Sequence, residues 1–324
     1  MISSPTQKPP RVSVVIAAFN AAKYLAQAIE SVRAQTDANW ELIVVDDGSQ
    51  DETAAIVREF AQRDNRIRCI RQENKGLGSA RNVGIRAALG HFIAFLDADD
   101  LWLSEKLALQ VRTMEEQQAD IVFSAGFIFS DDDVTGESNA FDTLCGRLEG
   151  DAFFATLFGG NMIPVLSVLV RRESLEGSGF EEGRSYCEDY DLWLRLAHKG
   201  AVFYGMPQKL VRYRIHQGAL SRHEVEMLQA EIAVLSRWRG EKSIQAKRAR
   251  RFQGLYRRLI FALMKKGESR RARQYLGALS ACGRFDPVTI SQRILLQLLP
   301  RAYVPIITML QQLKIRVSTS LRGK

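Results

Sequence analysis

Short apolar runs alternate with amphipathic segments along the first hundred residues. VSVVIAAFN (Val12–Asn20), ELIVVDDGS (Glu41–Ser49), IRCIRQ and FIAFLDADD (Phe92–Asp100) are nearly continuous in apolar side chains until they end in polar ones. Periodicity alone does not separate a buried strand from a buried helix, but the length and composition of these runs predict strands covered on both faces. Between them, Ala21–Gln35 repeats Leu25, Ala28, Ile29 and Val32 at helical spacing. DETAAIVREFAQR reads as a helix with Asp51 near its start, and GLGSARNVGIRAALG as a helix that opens on glycines and ends at Gly90. Strands alternating with helices predict right-handed βαβ units, and so an α/β fold with a mostly parallel, Rossmann-like sheet flanked by helices.

The regularity loosens after Asp100. EKLALQVRTMEEQ predicts a helix and ADIVFSAGFIFS a strand, followed by an exposed loop over Asp131–Gly150. PVLSVLVRR reads as a strand, EGSGFEEGRSY as a glycine-punctuated loop, and CEDYDLWLRLAHKG as an amphipathic helix capped at Gly200. AVFYGMPQKLVRYRIH supplies one or two more strands, and from Glu224 the pattern is successive helices with breaks near Gly240, Gly267, Gly283 and Pro300. The expected organisation is a flexible N-terminus over residues 1–10, an α/β domain over 11–222 and a basic α-helical extension over 223–324.

Charge sharpens that division. Residues 225–324 carry 21 Lys and Arg against 5 Asp and Glu, a net +16. The totals of 45 and 37 leave 24 against 32 for residues 1–224, a net −8. An acidic body with a basic region points to an anionic partner, nucleic acid or an anionic membrane surface, or to a helical bundle whose basic faces are simply solvated. Ile294–Arg316 mixes apolar clusters with Arg301, Lys314 and Arg316 and is interrupted by Pro300 and Pro305, which suits an interfacial segment better than a spanning one. MISSPTQKPP lacks the apolar stretch of a signal peptide, and no run approaches the roughly 20 apolar residues of a transmembrane helix. Cys69, Cys145, Cys187 and Cys282 show no CxxC spacing and read as reduced thiols. The expectation is a cytoplasmic protein, peripheral at the inner face of the membrane if its basic region meets lipid.

The apolar runs also point to chemistry. Parallel strands ending in Asp46–Asp47 and in Asp97, Asp99 and Asp100 place both acidic clusters on one rim of the sheet, where open α/β sheets bind ligands. Crowded carboxylates there suit a hard divalent ion such as Mg²⁺ or Mn²⁺ that shares its coordination with phosphate oxygens. The same residues also fit a solvated acidic loop capping the next helix. AAFNAAK lacks the glycines of a dinucleotide fingerprint, and no Walker A sequence is present.

In order, VSVVIAAFN, VVDDGSQDET, NKGLGSARNVGI, FLDADD, EDYDLWLRL and YRIH resemble the inverting family 2 glycosyltransferases, which have the nucleotide-binding GT-A fold. The resemblance covers about residues 11–222 and rests on the ordered set, since each motif alone is weak. It implies transfer of a sugar from a nucleotide-diphosphate sugar, UDP by family frequency, to an acceptor hydroxyl of a glycan or lipid-linked acceptor in cell-surface polysaccharide synthesis. By resemblance, Asp47 binds the base with Asp46 in support, Arg81 approaches the diphosphate, and Asp97 contacts ribose or the water shell of the metal. Asp99 resembles the metal ligand, with His216 nearby, and Asp189 the catalytic base. At the first turn of a helix, Asp189 is expected to be favoured in its ionised form by the helix dipole. Glu188 reads as a base neighbour or a cap, and Trp193 as packing before sugar stacking. Other readings are a sugar-1-phosphate nucleotidyltransferase, a basic nucleic-acid- or membrane-binding protein, and a non-catalytic scaffold. The first lacks its Lys/Arg-bearing glycine loop after the first strand. No nucleic-acid module is recognisable, so nucleic acid is not an expected partner.

Overall fold

The computed structural model describes residues 9–133, 139–218, 222–282, 295, 300 and 302–309. The chain divides into two compact units, Met1–Ala219 and Leu220–Lys324.

The first unit is built on the predicted apolar runs. Strands β1 (Val12–Ala18), β2 (Trp40–Asp46), β3 (Ile67–Arg71) and β4 (Phe92–Asp97) pair in parallel in the order β3-β2-β1-β4. Every residue of β1 and β2 is buried, as expected of strands covered on both faces. The covering helices are α1 (Leu25–Arg33), α2 (Thr53–Arg63) and α3 (Leu77–Ala87). Helix α1 buries the periodic set Leu25, Ala28, Ile29 and Val32. Helix α3 lies so close to the sheet that a Cβ on Gly84 would stand 2.3 Å from Val15 Cγ1. The glycine in NVGI therefore sets the helix-to-sheet spacing.

The sheet continues through β5 (Leu101–Trp102), β6 (Ile121–Phe129), β7 (Ala140–Phe141), β8 (Gly146–Leu148), β9 (Leu169–Arg171) and β10 (Phe203–Arg214). Past β4 the order is β9-β6-β10-β5, with β7 on β6 and β8 on β10. The long pairings are parallel, β10 on β6 included, while β9 runs antiparallel between β4 and β6. Helices α4 (Lys106–Glu116), α5 (Gly150–Leu157) and α6 (Glu188–His198) complete this unit.

Two expectations change. PVLSVLVRR is a strand only from Leu169 to Arg171; Val165–Ser167 form a 3₁₀ turn, begun by Pro164, which has no N–H to give a ladder. The segment from Asp131 to Gly150 holds β7 and β8 where a loop is predicted, because the edges of β6 and β10 pair with them.

The second unit contains α7 (Glu224–Ser236), α8 (Gln245–Lys265) and α9 (Ser269–Ala281), and helical residues 302–309. Leu255, Leu259, Leu263, Leu276 and Leu279 are among its buried residues. Most of Ile294–Arg316 lies outside the described residues.

Candidate active site

The strand register sets the geometry of the rim. In β1, Ala17 is level with Asp97 and Ala18 with Asp46, so the acidic ends of β2 and β4 flank the end of β1. The loops that follow are laced together. Asn20 N donates to Ser49 Oγ at 2.9 Å, Gln50 N to Asn20 Oδ1 at 2.9 Å, and Ala22 N to Asp51 Oδ2 at 3.0 Å. Asn20 adopts a left-handed φ of 49°, a backbone state that asparagine takes more readily than most side-chain-bearing residues. Beside it Phe19 leaves its ring half exposed on the rim, which a sequence reading for polar residues does not pick out.

Asp46 and Asp47 do different work. Asp46 is wholly buried and accepts from Ser49 N at 2.9 Å, with Arg71 Nε 3.6 Å from its other oxygen, so it shapes the DDGS turn and supports its neighbour. Asp47 accepts three hydrogen bonds, from Gln72 Nε2 at 2.6 Å, Lys75 N at 2.9 Å and Gly76 N at 2.8 Å. A carboxylate has about four acceptor positions, which leaves one direction for a ligand N–H. Gly48 makes the turn possible, with φ at 82° and a backbone nitrogen 2.9 Å from where its Cβ would be.

Arg81, expected at the diphosphate, is instead turned inward. Its side chain is 3% exposed, with Nη2 donating to Asp97 Oδ1 at 2.6 Å and Nη1 to Glu188 Oε1 at 2.5 Å. Burial raises the Asp97 carboxyl above its ordinary value; Arg81 opposes this and Asp99 adds to it.

Asp99 Oδ2 lies 2.8 Å from His216 Nε2, and the His216 ring packs on Tyr24 at 5.0 Å. Asp100 is buried. Its Oδ1 accepts from Arg214 N at 2.7 Å, its Oδ2 has no donor among the described residues, and burial, then the charges of Asp99 and Asp97, hold it well above the carboxylate range. Arg214 is the organiser that the sequence reading overlooked in YRIH. Its guanidinium donates to Asp99 O at 2.7 Å, Asp131 Oδ1 at 2.6 Å and Gln27 Oε1 at 2.6 Å, between the rings of Tyr24 and Phe129. Asp131 also accepts from Lys23 and Tyr24, and these bonds hold its carboxyl down at about 2.

Among the described residues no three His, Cys, Asp or Glu side chains converge as a ready metal cage. What they offer is one carboxylate–imidazole pair, Asp99 and His216, amid surplus negative charge. The Asp99 carboxylate fits Mg²⁺ or Mn²⁺, which take one or two protein carboxylates and are completed by ligand phosphates and water, and the His216 imidazole favours Mn²⁺ of the two.

Asp189 stands in the first turn of α6, partly accessible. Asn161 Nδ2 reaches both of its oxygens, at 3.2 and 3.1 Å. Burial pushes its carboxyl up to about 7, with Glu188 adding, while Arg81 and the bond from Asn161 pull the other way. Desolvation and a like charge next door outweigh the partial positive charge at the helix end, which by itself favours the ionised form. Asn161, in the unpatterned FGGNMIP, had no signal to reveal it. Trp193 is fully buried and donates to Ile163 O at 3.0 Å, so it packs; Arg195 is occupied by Asp191 and Gly179 O.

A mostly parallel sheet thus gathers its acidic strand ends on one rim, and Arg81 ties that rim to the start of α6. The sequence matches the family described as "Glycosyl transferase family 2" over residues 13–174, and the chain belongs to that family. It is 32% identical over 216 residues to the putative teichuronic acid biosynthesis glycosyltransferase TuaG of Bacillus subtilis, covering 66% of this chain and 83% of TuaG. It is 30% identical over 255 residues to the Escherichia coli UDP-Glc:alpha-D-GlcNAc-diphosphoundecaprenol beta-1,3-glucosyltransferase WfaP, covering 78% and 94%. In fold it resembles S. aureus TarS in complex with UDP-GlcNAc, with a TM-score of 0.63 at 18% identity over 91% of this chain and 88% of that one. It also resembles a mannosyltransferase from Pyrobaculum calidifontis in complex with GDP-Man and Mn²⁺, with a TM-score of 0.58 at 18% identity over 92% and 84%. The protein is a glycosyltransferase of the GT-A fold.

Proposed function

We propose that this glycosyltransferase moves a sugar, with inversion, from a UDP-sugar to a hydroxyl of a lipid-diphosphate-linked glycan during cell-surface polysaccharide synthesis. One observation carries the reading. A continuous chain of contacts, Asp97–Arg81–Glu188, runs from the acidic strand end to the residue next to Asp189, so the donor rim and the general base belong to one assembly. The named substrates of WfaP and the ligand of TarS support the choice of donor and acceptor class.

In this reading the open acceptor direction of Asp47 takes the uracil N–H and the exposed ring of Phe19 stacks on the base. Asp97 accepts from a ribose hydroxyl or from the water shell of the cation. Asp99 and His216 would hold Mg²⁺ or Mn²⁺, which would supply neutralisation of the charge on the departing diphosphate. Asp189, oriented by Asn161, takes the proton of the acceptor hydroxyl as its oxygen attacks the anomeric carbon from the face opposite the diphosphate. A base with a pKa near 7 is matched to a hydroxyl proton at neutral pH. The first unit is the catalytic domain. The second, with its share of the +16 charge, is proposed to meet anionic lipid and so bring the enzyme to a membrane-embedded acceptor. No helix among the described residues is long and apolar enough to cross a membrane.

The test is turnover of UDP-sugars against polyprenyl-diphosphate-linked sugars, with the anomeric configuration of the product read by NMR. Inversion relative to the donor and release of UDP are expected. Retention of configuration, or nucleotidyl transfer to a sugar 1-phosphate, would sink the proposal.

A further inference from the structure

Arg81, Asp97 and Glu188 form a buried cluster with more negative charge than pairing needs. One guanidinium lies between two carboxylates, at 2.6 and 2.5 Å, with side-chain exposures of 3, 25 and 7%. A fold that wanted only to neutralise Arg81 would use one carboxylate and fill the other place with an apolar or amide side chain. The surplus charge is costly in such a setting, and its place in the fold indicates what it is for. Glu188 is the residue immediately before Asp189. Successive helix residues diverge by about 100°, so Glu188 points into the cluster while its neighbour points toward Asn161. Cys187, just before both, takes a left-handed φ of 58° at the start of α6, a strained state that persists only where its surroundings hold it.

We propose that Arg81 and Glu188 are positioning residues for transfer: Arg81 is a strut that ties Glu188, and with it the base-bearing end of α6, to the donor-side carboxylate Asp97. The inference rests on Asp189 being the base and adds how its position and basicity are set. The strut fixes the first turn of α6 relative to β4, so the distance from base to donor is held by one guanidinium. Glu188, paired with Arg81, sets a carboxylate beside Asp189. That charge favours the protonated form of Asp189 and so raises its appetite for the acceptor proton. The charged and polar groups around the base act in opposite directions: Glu188 raises its proton affinity, and Arg81, the Asn161 amide and Tyr190 N restrain the rise.

Glu188→Gln is the informative variant, because Arg81 keeps Asp97 as partner and no cation is orphaned. The expected result is a fall in kcat of about tenfold or more, the scale that misplacement of a reacting group produces. Affinity for UDP with Mn²⁺, measured calorimetrically, should stay within about threefold, the signature of a loss confined to the chemical step. The carboxyl titration of Asp189, followed by ¹³C NMR on aspartate-labelled protein and assigned with Asp189→Asn, should move to lower pH, as should the acidic limb of kcat. Glu188→Asp, which keeps the charge but shortens the reach, should hold the titration near its original midpoint with only part of kcat restored. Glu188→Gln with unchanged kcat and unchanged midpoint would overturn the strut. So would a variant that loses UDP affinity, thermal stability and kcat in step, which is the mark of a merely structural residue. Asp189→Asn separates the two levels. If it retains turnover, the base assignment itself fails; if it is inactive while Glu188→Gln is normal, only the strut fails.

Discussion

Asp189 makes a wager between activity and stability that can be measured both ways. Its carboxyl is raised from 3.8 to about 7 in the folded protein. A base must be ionised to act, so kcat should rise through an acidic limb centred near pH 7, with about one-tenth of the maximal rate left one unit below it. The same shift sets a linkage term. Below pH 3.8 the group is protonated in both folded and unfolded chains and costs nothing. Between there and about 7 the unfolded chain ionises while the folded one resists, so the stability present at low pH is lost as pH rises, and beyond the folded value the loss is constant. The shift of about three units corresponds to a loss on the order of 4 kcal/mol at neutral pH. Asp189→Asn removes the titration. It should cut turnover by about 10²-fold or more while leaving UDP affinity nearly intact. Thermal unfolding should show the variant several degrees more stable than the parent at pH 8, with the advantage vanishing toward pH 4. Parallel melting curves across that range would refute the assigned pKa, and loss of UDP affinity along with turnover would move Asp189 from base to structural or metal role.

Further expectations follow from other parts of the site. Asp99→Ala should abolish transfer and remove the Mn²⁺-dependent part of UDP affinity in a calorimetric titration, whereas full activity in excess EDTA would exclude the metal assignment. Phe19→Ala should weaken UDP binding by roughly 1–3 kcal/mol if the half-exposed ring is a base platform, and leave binding untouched if it is not. Gly84→Ala drives a methyl to 2.3 Å from Val15 Cγ1 and should cost about 1–3 kcal/mol in chemical denaturation, with kcat per folded molecule unchanged. The full chain should sediment with anionic but not neutral vesicles at low salt; recovery in the supernatant of both would make the basic unit a structural appendage.

The strands were legible because burial on both faces leaves a plain mark, and the acidic strand ends were legible because carboxylates rarely close an apolar run. The gathering of Asp46, Asp47 and Asp99 on one rim could be anticipated from the strand order, while the roles proposed for them come from the family resemblance. What escaped was whatever depends on contact across the chain. Arg81 and Glu188 are 107 positions apart, and nothing in GSARN says that the arginine faces inward rather than toward a ligand. Arg214 joins Gln27 across 187 positions and Asp99 across 115, so its part as organiser is a property of the packed sheet. The dipole argument for Asp189 stops short for a related reason: the local helix is readable in the sequence, while the burial and the neighbouring charge that outweigh it are not.

Asp97, Asp99, Asp100, Glu188 and Asp189 share the region with Arg81 and Arg214, and Arg214 is already engaged by Asp131. A free nucleotide diphosphate, itself strongly anionic, would meet repulsion there. Burial raises the pKa of the Asp97 and Asp100 carboxyls, so protonation there relieves part of the surplus. On the proposed reading a divalent ion would resolve the conflict, since it would be attracted by the rim and by the diphosphate at once. On the proposed reading the acidic rim therefore discriminates: it rejects the bare nucleotide and admits the metal complex. On that reading the negative charge that is costly in the folded rim is what would make it selective for the donor in its reactive form.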